Sequence, residues 1–226
     1  MEDKIGEIGF EIINNVYSGT EIDSIKSEIA KSKLSNTYGV RKFLLGKPEL
    51  QKLIFAERLK EILKSKLPGY FVIRSIYFNK PPKANWFVNW HQDLTINLNE
   101  KVEIAGFKNW RILNDRVVVQ PNINILNSIL TVRIHLDRCN EHNGALRIIP
   151  GSHNKGVVDL KNRSQQLNSE SIICPVKSGG IMIMKPLLVH SSRRSETNNE
   201  RGVLHVELFN QRIPIGLNWN EKIIVN

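Results

Sequence analysis

Residues 127–137, NSILTVRIHLD, decide the fold class because apolar and polar side chains alternate along them. In an extended backbone this alternation places Val132 and Ile134 on one face and Arg133 and His135 on the other. The pattern is typical of a strand that buries one face in an apolar core. We therefore predict a β-strand here, with Arg133 and His135 on its polar face.

Further short runs downstream of residue 70 are also predicted as strands. In chain order they are YFVIRSIYF (70–78), WFVNWHQDLTINL (86–98), ALRIIP (145–150), IICPV (172–176), IMIMKPLLVH (181–190) and GVLHVELF (202–209). Asn143-Gly144 is predicted as a hairpin turn, and residues 98–128, whose periodicity is weak, as a loop over the active site. Many short strands without alternating helices predict a mainly β fold, a sandwich or open barrel with helices packed outside.

Two amphipathic helices are predicted near the start of the chain. Residues 20–34 carry isoleucines at helical spacing, with Thr20 or Asp23 as the candidate cap. Residues 48–67 repeat the apolar pattern and are predicted as one helix that begins at a proline. We therefore expect a helical segment before the strands begin.

The predicted organisation is a single domain over residues 1–226. It consists of a helical preface over residues 1–68 and a β core over residues 70–210. The chain has no apolar run near the ~20 residues that span a bilayer, no secretory signal, and only two cysteines, so we expect a cytoplasmic protein without membrane partners. The net charge of +10 comes from lysines scattered along the chain, which favours a solvated surface over a nucleic-acid interface.

The candidate functional residues are His91-Gln92-Asp93, His190 and Arg201. His91 and Asp93 are separated by one residue, so an extended backbone points both side chains to the same face. Two imidazoles and one carboxylate can hold a ferrous ion and leave positions open for a chelating cosubstrate and oxygen. His190 is expected to close the strand IMIMKPLLVH, and a hairpin is expected to bring Arg201 alongside it, where it can pair with the far carboxylate of 2-oxoglutarate.

Three ordered segments resemble the phytanoyl-CoA dioxygenase-like branch of the iron- and 2-oxoglutarate-dependent oxygenases. They are WHQDLTI (90–96), NGALRIIPGSHNKG (143–156) and the segment 190–208 with its His-to-Arg spacing. The resemblance extends over residues 70–210. It implies a double-stranded β-helix, or jelly roll, in agreement with the predicted strands.

The resemblance also implies a site and a reaction. The implied iron ligands are His91, Asp93 and His190, and the implied contacts of 2-oxoglutarate are Arg201, Ser192 and Gln92. The implied enzyme is an Fe(II)- and 2-oxoglutarate-dependent dioxygenase that hydroxylates an unactivated C–H of a small molecule. An anionic molecule is one candidate for this substrate. It consumes O2 and releases succinate and CO2. Because Asp93 is retained, where related halogenases have a small residue, hydroxylation is favoured over halogenation.

The chain departs from the usual family pattern at Arg133, where relatives often carry tryptophan or another uncharged residue near the cosubstrate. A buried arginine needs an anion. Two interpretations stay open: Arg133 binds 2-oxoglutarate or an anionic group of the substrate, or it forms a salt bridge with an acid such as Asp137 or Glu207. His135, on the same face, is either a pocket residue or a hydrogen-bonded wall histidine.

Two tryptophans are further candidates for the substrate pocket. Trp90 adjoins the His91 motif, and Trp110 lies in the weakly periodic stretch, although an aromatic residue beside a strand is more often part of a core. His205 is expected to be structural.

Two rival functions stay open. One is a non-catalytic jelly-roll protein that binds metal, and the other is an oxygenase that acts on nucleic acid, motivated by the positive charge. The sequence does not decide the substrate or the oligomeric state.

Overall fold

A computed structural model describes residues 4–32, 39–80, 87–161, 164–197 and 201–225. In chain order its helices and strands are α1 (Lys4–Ile8), β1 (Phe10–Ile13), α2 (Gly19–Lys31), β2 (Gly39–Arg41), α3 (Pro48–Ile54), α4 (Glu57–Lys66), β3 (Phe71–Lys80), β4 (Val88–His91), β5 (Ile96–Leu98), β6 (Lys108–Leu113), β7 (Arg116–Gln120), α5 (Ile123–Ser128), β8 (Leu130–His135), β9 (Leu146–Ile148), α6 (Ser164–Glu170), β10 (Ile172–Cys174), β11 (Ile181–Met184), β12 (His190–Ser192), β13 (Arg201–Phe209) and β14 (Ile223–Ile224). Two 3₁₀ helices, Glu141–Asn143 and Ser152–Lys155, lie on either side of β9.

The described strands form three antiparallel sheets. The large sheet has the order β1-β11-β8-β13-β3-β14, with β2 also paired to β3. The small sheet has the order β10-β9-β12-β4, and a third sheet has the order β5-β7-β6. The large and small sheets form the jelly-roll core, so the predicted mainly β fold with flanking helices is confirmed.

The large sheet is apolar on its outer face, where the helices pack. Val132 and Ile134 of β8 and Leu204 and Val206 of β13 join one buried cluster with residues of α2, α3 and α4. Every residue of β8 and β13 is buried, so the opposite face of these strands also lies inside the protein. The alternation in residues 127–137 therefore separates an apolar buried layer from a polar layer that is also buried.

The helical segment differs in detail from its prediction. Helix α2 is capped by Ser18, whose side chain accepts from the Glu21 amide in a capping box, rather than by Thr20 or Asp23. The predicted single helix over residues 48–67 is two helices, α3 and α4. The break falls at Phe55, whose backbone leaves the helical region so that its ring is buried in the core.

The segment before residue 68 also contributes two strands that the sequence did not predict. Strand β1 pairs with β11, and β2 pairs with β3, so both extend the large sheet. The division into a preface and a core within one domain stays a prediction.

Three predictions about strands and their connections are wrong. The run IMIMKPLLVH is not one strand: β11 ends at Met184, and His190 begins β12 in the other sheet. Arg201 does open the next strand, but β13 belongs to the large sheet, so no hairpin joins it to β12. Asn143-Gly144 is not a hairpin turn either, because β9 pairs with β10 and β12 and not with β8.

The stretch 98–128 is not an open loop. It contains β6, β7 and α5, and together with β5 it packs on a second buried cluster that includes Ile96, Val119 and Phe209. Both cysteines are buried and free. Among the described residues, no helix is long and apolar enough to cross a membrane.

Candidate metal centre and its cavity

Two neighbouring strands of the small sheet bring the two candidate histidine ligands face to face. In the antiparallel pair of β12 and β4, His190 lies directly opposite His91, and their ring centroids are 4.1 Å apart. Asp93 follows two residues after His91. One ligand atom from each of the three side chains lies within 4.8 Å of the other two. The sequence-predicted triad is therefore assembled by strand register.

Backbone carbonyl groups orient both imidazoles. The Nδ1 atom of His91 lies 2.8 Å from the carbonyl oxygen of Asn89, and Nδ1 of His190 lies 2.8 Å from that of Leu188. In this arrangement Nδ1 carries the proton, which leaves Nε2 of each ring with a free lone pair. Both Nε2 atoms face the Asp93 carboxylate. Such an outer hydrogen bond fixes the tautomer of a metal-binding histidine.

The Asp93 carboxylate completes the donor set. Its Oδ1 lies 3.9 Å from His91 Nε2, and its Oδ2 lies 3.8 Å from His190 Nε2. Oδ2 is buried without a hydrogen-bond partner among the described residues. A buried carboxylate oxygen without a partner is costly, and two imidazole nitrogens that aim at it cannot relieve that cost while they are neutral. A divalent cation between the three groups would satisfy all of them, so the donor set fits a metal ion.

The electrostatics of the triad keep it in the protonation state that binds metal. Burial lowers the pKa of His190 to about 4, although Asp93 acts in the opposite direction. Desolvation raises the pKa of Asp93, but His190, His205 and His91 outweigh it and hold that pKa below its ordinary value. At neutral pH the site therefore presents a neutral His190 and an ionised Asp93.

The triad opens into a cavity between the two main sheets. The residues that line it are Phe78, Val88, His91, Asp93, Arg133, Leu146, His190, Ser192, Arg201 and His205. Both predicted arginines are thus brought to the metal centre from the inner face of the large sheet. Asp93 is the carboxylate among these lining residues.

Arg201 and Ser192 meet at the carbonyl group of Gly144. Arg201 Nη1 donates to that carbonyl oxygen and also lies 3.3 Å from Cys139 Sγ, while Ser192 Oγ donates to the same oxygen over 3.1 Å. Gly144 has a φ of 81°, and a Cβ at this position would lie 2.7 Å from the carbonyl oxygen of Arg193, so a side chain here would be strained. Asn143-Gly144 is therefore a turn that positions Arg201 rather than a hairpin.

Arg133 has no carboxylate partner among the described residues. Its Nη1 donates to His205 Nδ1 over 3.2 Å, and its guanidinium lies 5.8 Å from the centre of the Phe78 ring. Its Nε has no hydrogen-bond partner within the described ranges. Burial, reinforced by the positive charge of Arg201, lowers the pKa of Arg133 to about 10.

The predicted salt-bridge alternative for Arg133 is wrong, because both acids are engaged elsewhere. Glu207 pairs with Arg74 over 2.7 Å, and Asp137 pairs with Lys26 over 2.6 Å.

His205 is the functional candidate that sequence reasoning undervalued. It lines the cavity, and its ring joins Arg133 on one side to Glu207 Oε1 on the other, 3.2 Å away. The signal was present in the sequence, because His205 lies four residues after Arg201 and so shares its face of the strand.

Four predicted site residues do not line the cavity. Gln92 donates to the carbonyl groups of Gly156 and Leu187 and accepts from the amide of Val158, so it holds loops together. His135 is buried beside the arginines, and neither ring nitrogen has a hydrogen-bond partner in the part of the chain that the structure describes.

The two tryptophans belong to apolar clusters. Trp90 alternates with His91 along β4, so it points away from the triad, and its indole donates to Asn168. Trp110 stacks on Phe107 in the cluster beneath the third sheet.

Comparisons with known proteins identify the family and agree with the fold. Residues 40–203 match the family model described as phytanoyl-CoA dioxygenase. A search of the curated proteins gives no match. Among solved structures, AviO1 from Streptomyces viridochromogenes Tue57 has a TM-score of 0.66 at 18% identity, with 94% of each chain covered.

Two further structures have similar folds. The non-heme alpha-ketoglutarate-dependent carbocyclase SnoK from nogalamycin biosynthesis has a TM-score of 0.69 at 18% identity, covering 92% of this chain and 81% of its own. HygX from Streptomyces hygroscopicus, with nickel and 2-oxoglutarate bound, has a TM-score of 0.64 at 14% identity, covering 92% and 85%. The family match spans more than half of the sequence, and the chain therefore belongs to the phytanoyl-CoA dioxygenase family.

Proposed function

We propose that this protein is an Fe(II)- and 2-oxoglutarate-dependent dioxygenase that hydroxylates an unactivated C–H of a small molecule, with release of succinate and CO2. The observation that carries the proposal is one cavity that holds both a facial His-Asp-His donor set and a buried arginine. A metal-binding protein without turnover would need the donor set alone, whereas a dicarboxylate cosubstrate needs both.

Each group has a role in this proposal. His91, Asp93 and His190 would hold the ferrous ion, which, when bound, supplies the activation of O2 that side chains cannot provide. Arg201 would bind the distal carboxylate of 2-oxoglutarate, and the Ser192 hydroxyl, which shares a carbonyl partner with Arg201, would assist it. The bound nickel and 2-oxoglutarate of HygX support this assignment.

Hydroxylation is the proposed outcome because the carboxylate ligand is present. Related halogenases have a small residue where Asp93 stands, and here a carboxylate oxygen of Asp93 belongs to the candidate donor set. A small substrate is proposed because the cavity beside the triad lies between the two main sheets. Two free, buried cysteines support the predicted cytoplasmic location.

The test is an anaerobic titration of the protein with ferrous ion and 2-oxoglutarate, followed by the weak visible charge-transfer band of the chelate. We expect the band in the wild type and in His142→Ala, a matched variant at an exposed histidine. We expect no band and no retained iron in His190→Ala, because the metal loses a ligand that strand register places opposite His91.

Other outcomes would assign the protein differently. Iron binding without the band would support a metal-binding protein that does not use 2-oxoglutarate. A normal band with succinate release stimulated only by oligonucleotides, in a salt-dependent manner, would support the nucleic-acid alternative. No iron binding in the wild type would contradict the proposed function.

A further inference from the structure

The cavity contains more positive charge than its own side chains neutralise. Arg133 is 8% exposed and Arg201 is 5% exposed, and both Nε atoms lack a hydrogen-bond partner among the described residues. The carboxylate among the described lining residues is Asp93, which lies between the two histidines. Two buried guanidinium groups that face one cavity repel each other unless anions accompany them.

Neighbouring groups hold Arg133 in place without neutralising it. Its Nη1 donates to Nδ1 of His205, so Nε2 of that ring carries the proton and donates to Glu207. The Glu207 carboxylate is in turn paired with Arg74, whose Nη2 donates to the carbonyl of Thr95 over 2.7 Å. The negative charge of Glu207 is thus matched by Arg74, and a neutral imidazole separates it from Arg133.

The formal charges can be balanced if the proposed function is correct, and this inference rests on it. A ferrous ion with Asp93 leaves one positive charge, and Arg201 adds a second. The two carboxylates of 2-oxoglutarate neutralise both charges, one as a metal chelator and one at Arg201 and Ser192. The positive charge of Arg133 is then left without a counterion in a buried cavity.

We propose that Arg133 is a specificity-determining residue that binds an anionic group, a carboxylate or a phosphate, on the substrate. Its position fits this role, because it projects from β8 on the large sheet, opposite His205 of β13, and lines the same cavity as the triad. The aromatic face of Phe78 beside the guanidinium leaves the edge of the cation available for a planar anion. The substrate class is therefore a small organic anion.

The experiment uses the protein loaded with Mn(II) and saturating 2-oxoglutarate, and measures paramagnetic broadening of the proton lines of small probes. Acetate and acetamide are a matched pair that differs in charge, and methyl phosphate represents the second anion class. We expect the wild type to broaden the line of acetate or methyl phosphate far more than that of acetamide. In Arg133→Gln the broadening of the anion lines in excess of that of acetamide should fall about tenfold or more. Arg133→Lys should retain part of this excess broadening.

Controls separate this inference from simpler explanations. Arg193→Gln, a matched variant at an exposed arginine, should broaden the proton lines of the anions as much as the wild type does. Zn(II)-loaded protein should give no broadening. The iron-chelate band should show that Arg133→Gln binds 2-oxoglutarate with wild-type affinity.

Three results would overturn the inference. The wild type could broaden the lines of the anions and of acetamide equally. Anion broadening could persist in Arg133→Gln, which would indicate direct coordination to the metal. Arg133→Gln could lose affinity for 2-oxoglutarate, which would assign Arg133 to the cosubstrate. Absence of the chelate band in the wild type would instead overturn the proposed function itself.

Discussion

The two faces of strands β8 and β13 are equally buried and chemically opposite. The outer face carries aliphatic side chains that pack against α2, α3 and α4. The inner face carries polar side chains, namely Arg133 and His135 on β8 and Arg201, His205 and Glu207 on β13, and each of them is less than 9% exposed. The same two strands therefore serve the hydrophobic core on one side and the cavity on the other.

The difference indicates what each face contributes. Burial of aliphatic surface stabilises the fold by about 25 cal/mol for each Å² removed from water. Burial of a polar group without a partner costs free energy, and Arg133, Arg201 and His135 all have at least one side-chain nitrogen without a partner among the described residues. The inner face is therefore expected to reduce stability and to recover that cost when ligands bind.

The largest expected effect of a substitution on either face is the loss of cosubstrate binding when Arg201 on the inner face is replaced. Arg201→Ala should weaken binding of 2-oxoglutarate by about 2–5 kcal/mol, because it leaves a buried carboxylate unpaired. The iron-chelate band measures this as an increase of about thirtyfold or more in the concentration at half saturation. Iron affinity without 2-oxoglutarate should change far less, because Arg201 does not belong to the donor set.

Arg193→Ala is the matched control, since Arg193 is exposed and does not line the cavity. It should bind 2-oxoglutarate as the wild type does. Wild-type affinity for 2-oxoglutarate in Arg201→Ala would show that Arg133 binds the distal carboxylate. Arg201 would then be the arginine that is left without a counterion.

A smaller effect should appear on the outer face. Ile134 is fully buried in the helix-facing cluster, and Ile134→Val should reduce the free energy of unfolding by about 0.5–1.5 kcal/mol. Affinity for 2-oxoglutarate should not change, although Ile134 is next to Arg133 in the chain. Chemical denaturation and the chelate band measure the two quantities. Ile112→Val, at a side chain that is 73% exposed, should change neither, and a loss of cosubstrate affinity in Ile134→Val would contradict the separation of the two faces.

The sequence predicted the parts of the site that depend on strand alternation. His91 and Asp93 converge on one candidate metal site and Arg133 faces the cavity, as expected from a period of two, although Asp93 itself lies just beyond β4. Arg201 begins β13, next to the predicted strand 202–209. His190 was also identified, but the strand and the hairpin predicted to carry it were wrong. Residues 185–189 cross from the large sheet to the small one, and most of them are apolar and buried. Periodicity cannot detect a strand end when the connection is as apolar as the strands it joins.

Tertiary packing overrode local pattern in two other places. The apolar spacing of residues 48–67 continues through Phe55, and neither glycine nor proline marks the break between α3 and α4. Trp110 lies on a largely exposed strand whose pattern is weak, and its ring is partly buried only because Phe107 and the second cluster lie beneath it. Both outcomes depend on packing against clusters whose other members are mostly distant in sequence.

The smallest expected effect concerns His135, which tests whether the inner face reduces stability. Burial lowers the pKa of His135 well below its ordinary value, and the positive charges of Arg133 and Arg201 lower it further. In the unfolded chain the His135 side chain binds a proton as the pH falls through ~6.5, whereas in the folded protein it stays neutral at that pH. The free energy of unfolding should therefore decrease as the pH falls through that value. His135→Phe removes this group and no hydrogen bond of its side chain, so at pH 8 the two proteins should differ by less than about 1 kcal/mol.

The measurement is the free energy of unfolding of metal-free wild type and His135→Phe between pH 8 and pH 5. The variant should lose less stability than the wild type as the pH falls, so the difference between them should grow in its favour below pH ~6.5. The acid sensitivity of His190 is present in both proteins and cancels in the difference. Parallel pH profiles would mean that His135 takes up its proton in the folded state. The inner face would then hold an anion or water beside the arginines even without a cosubstrate, and the positive charge assigned to Arg133 would already be compensated.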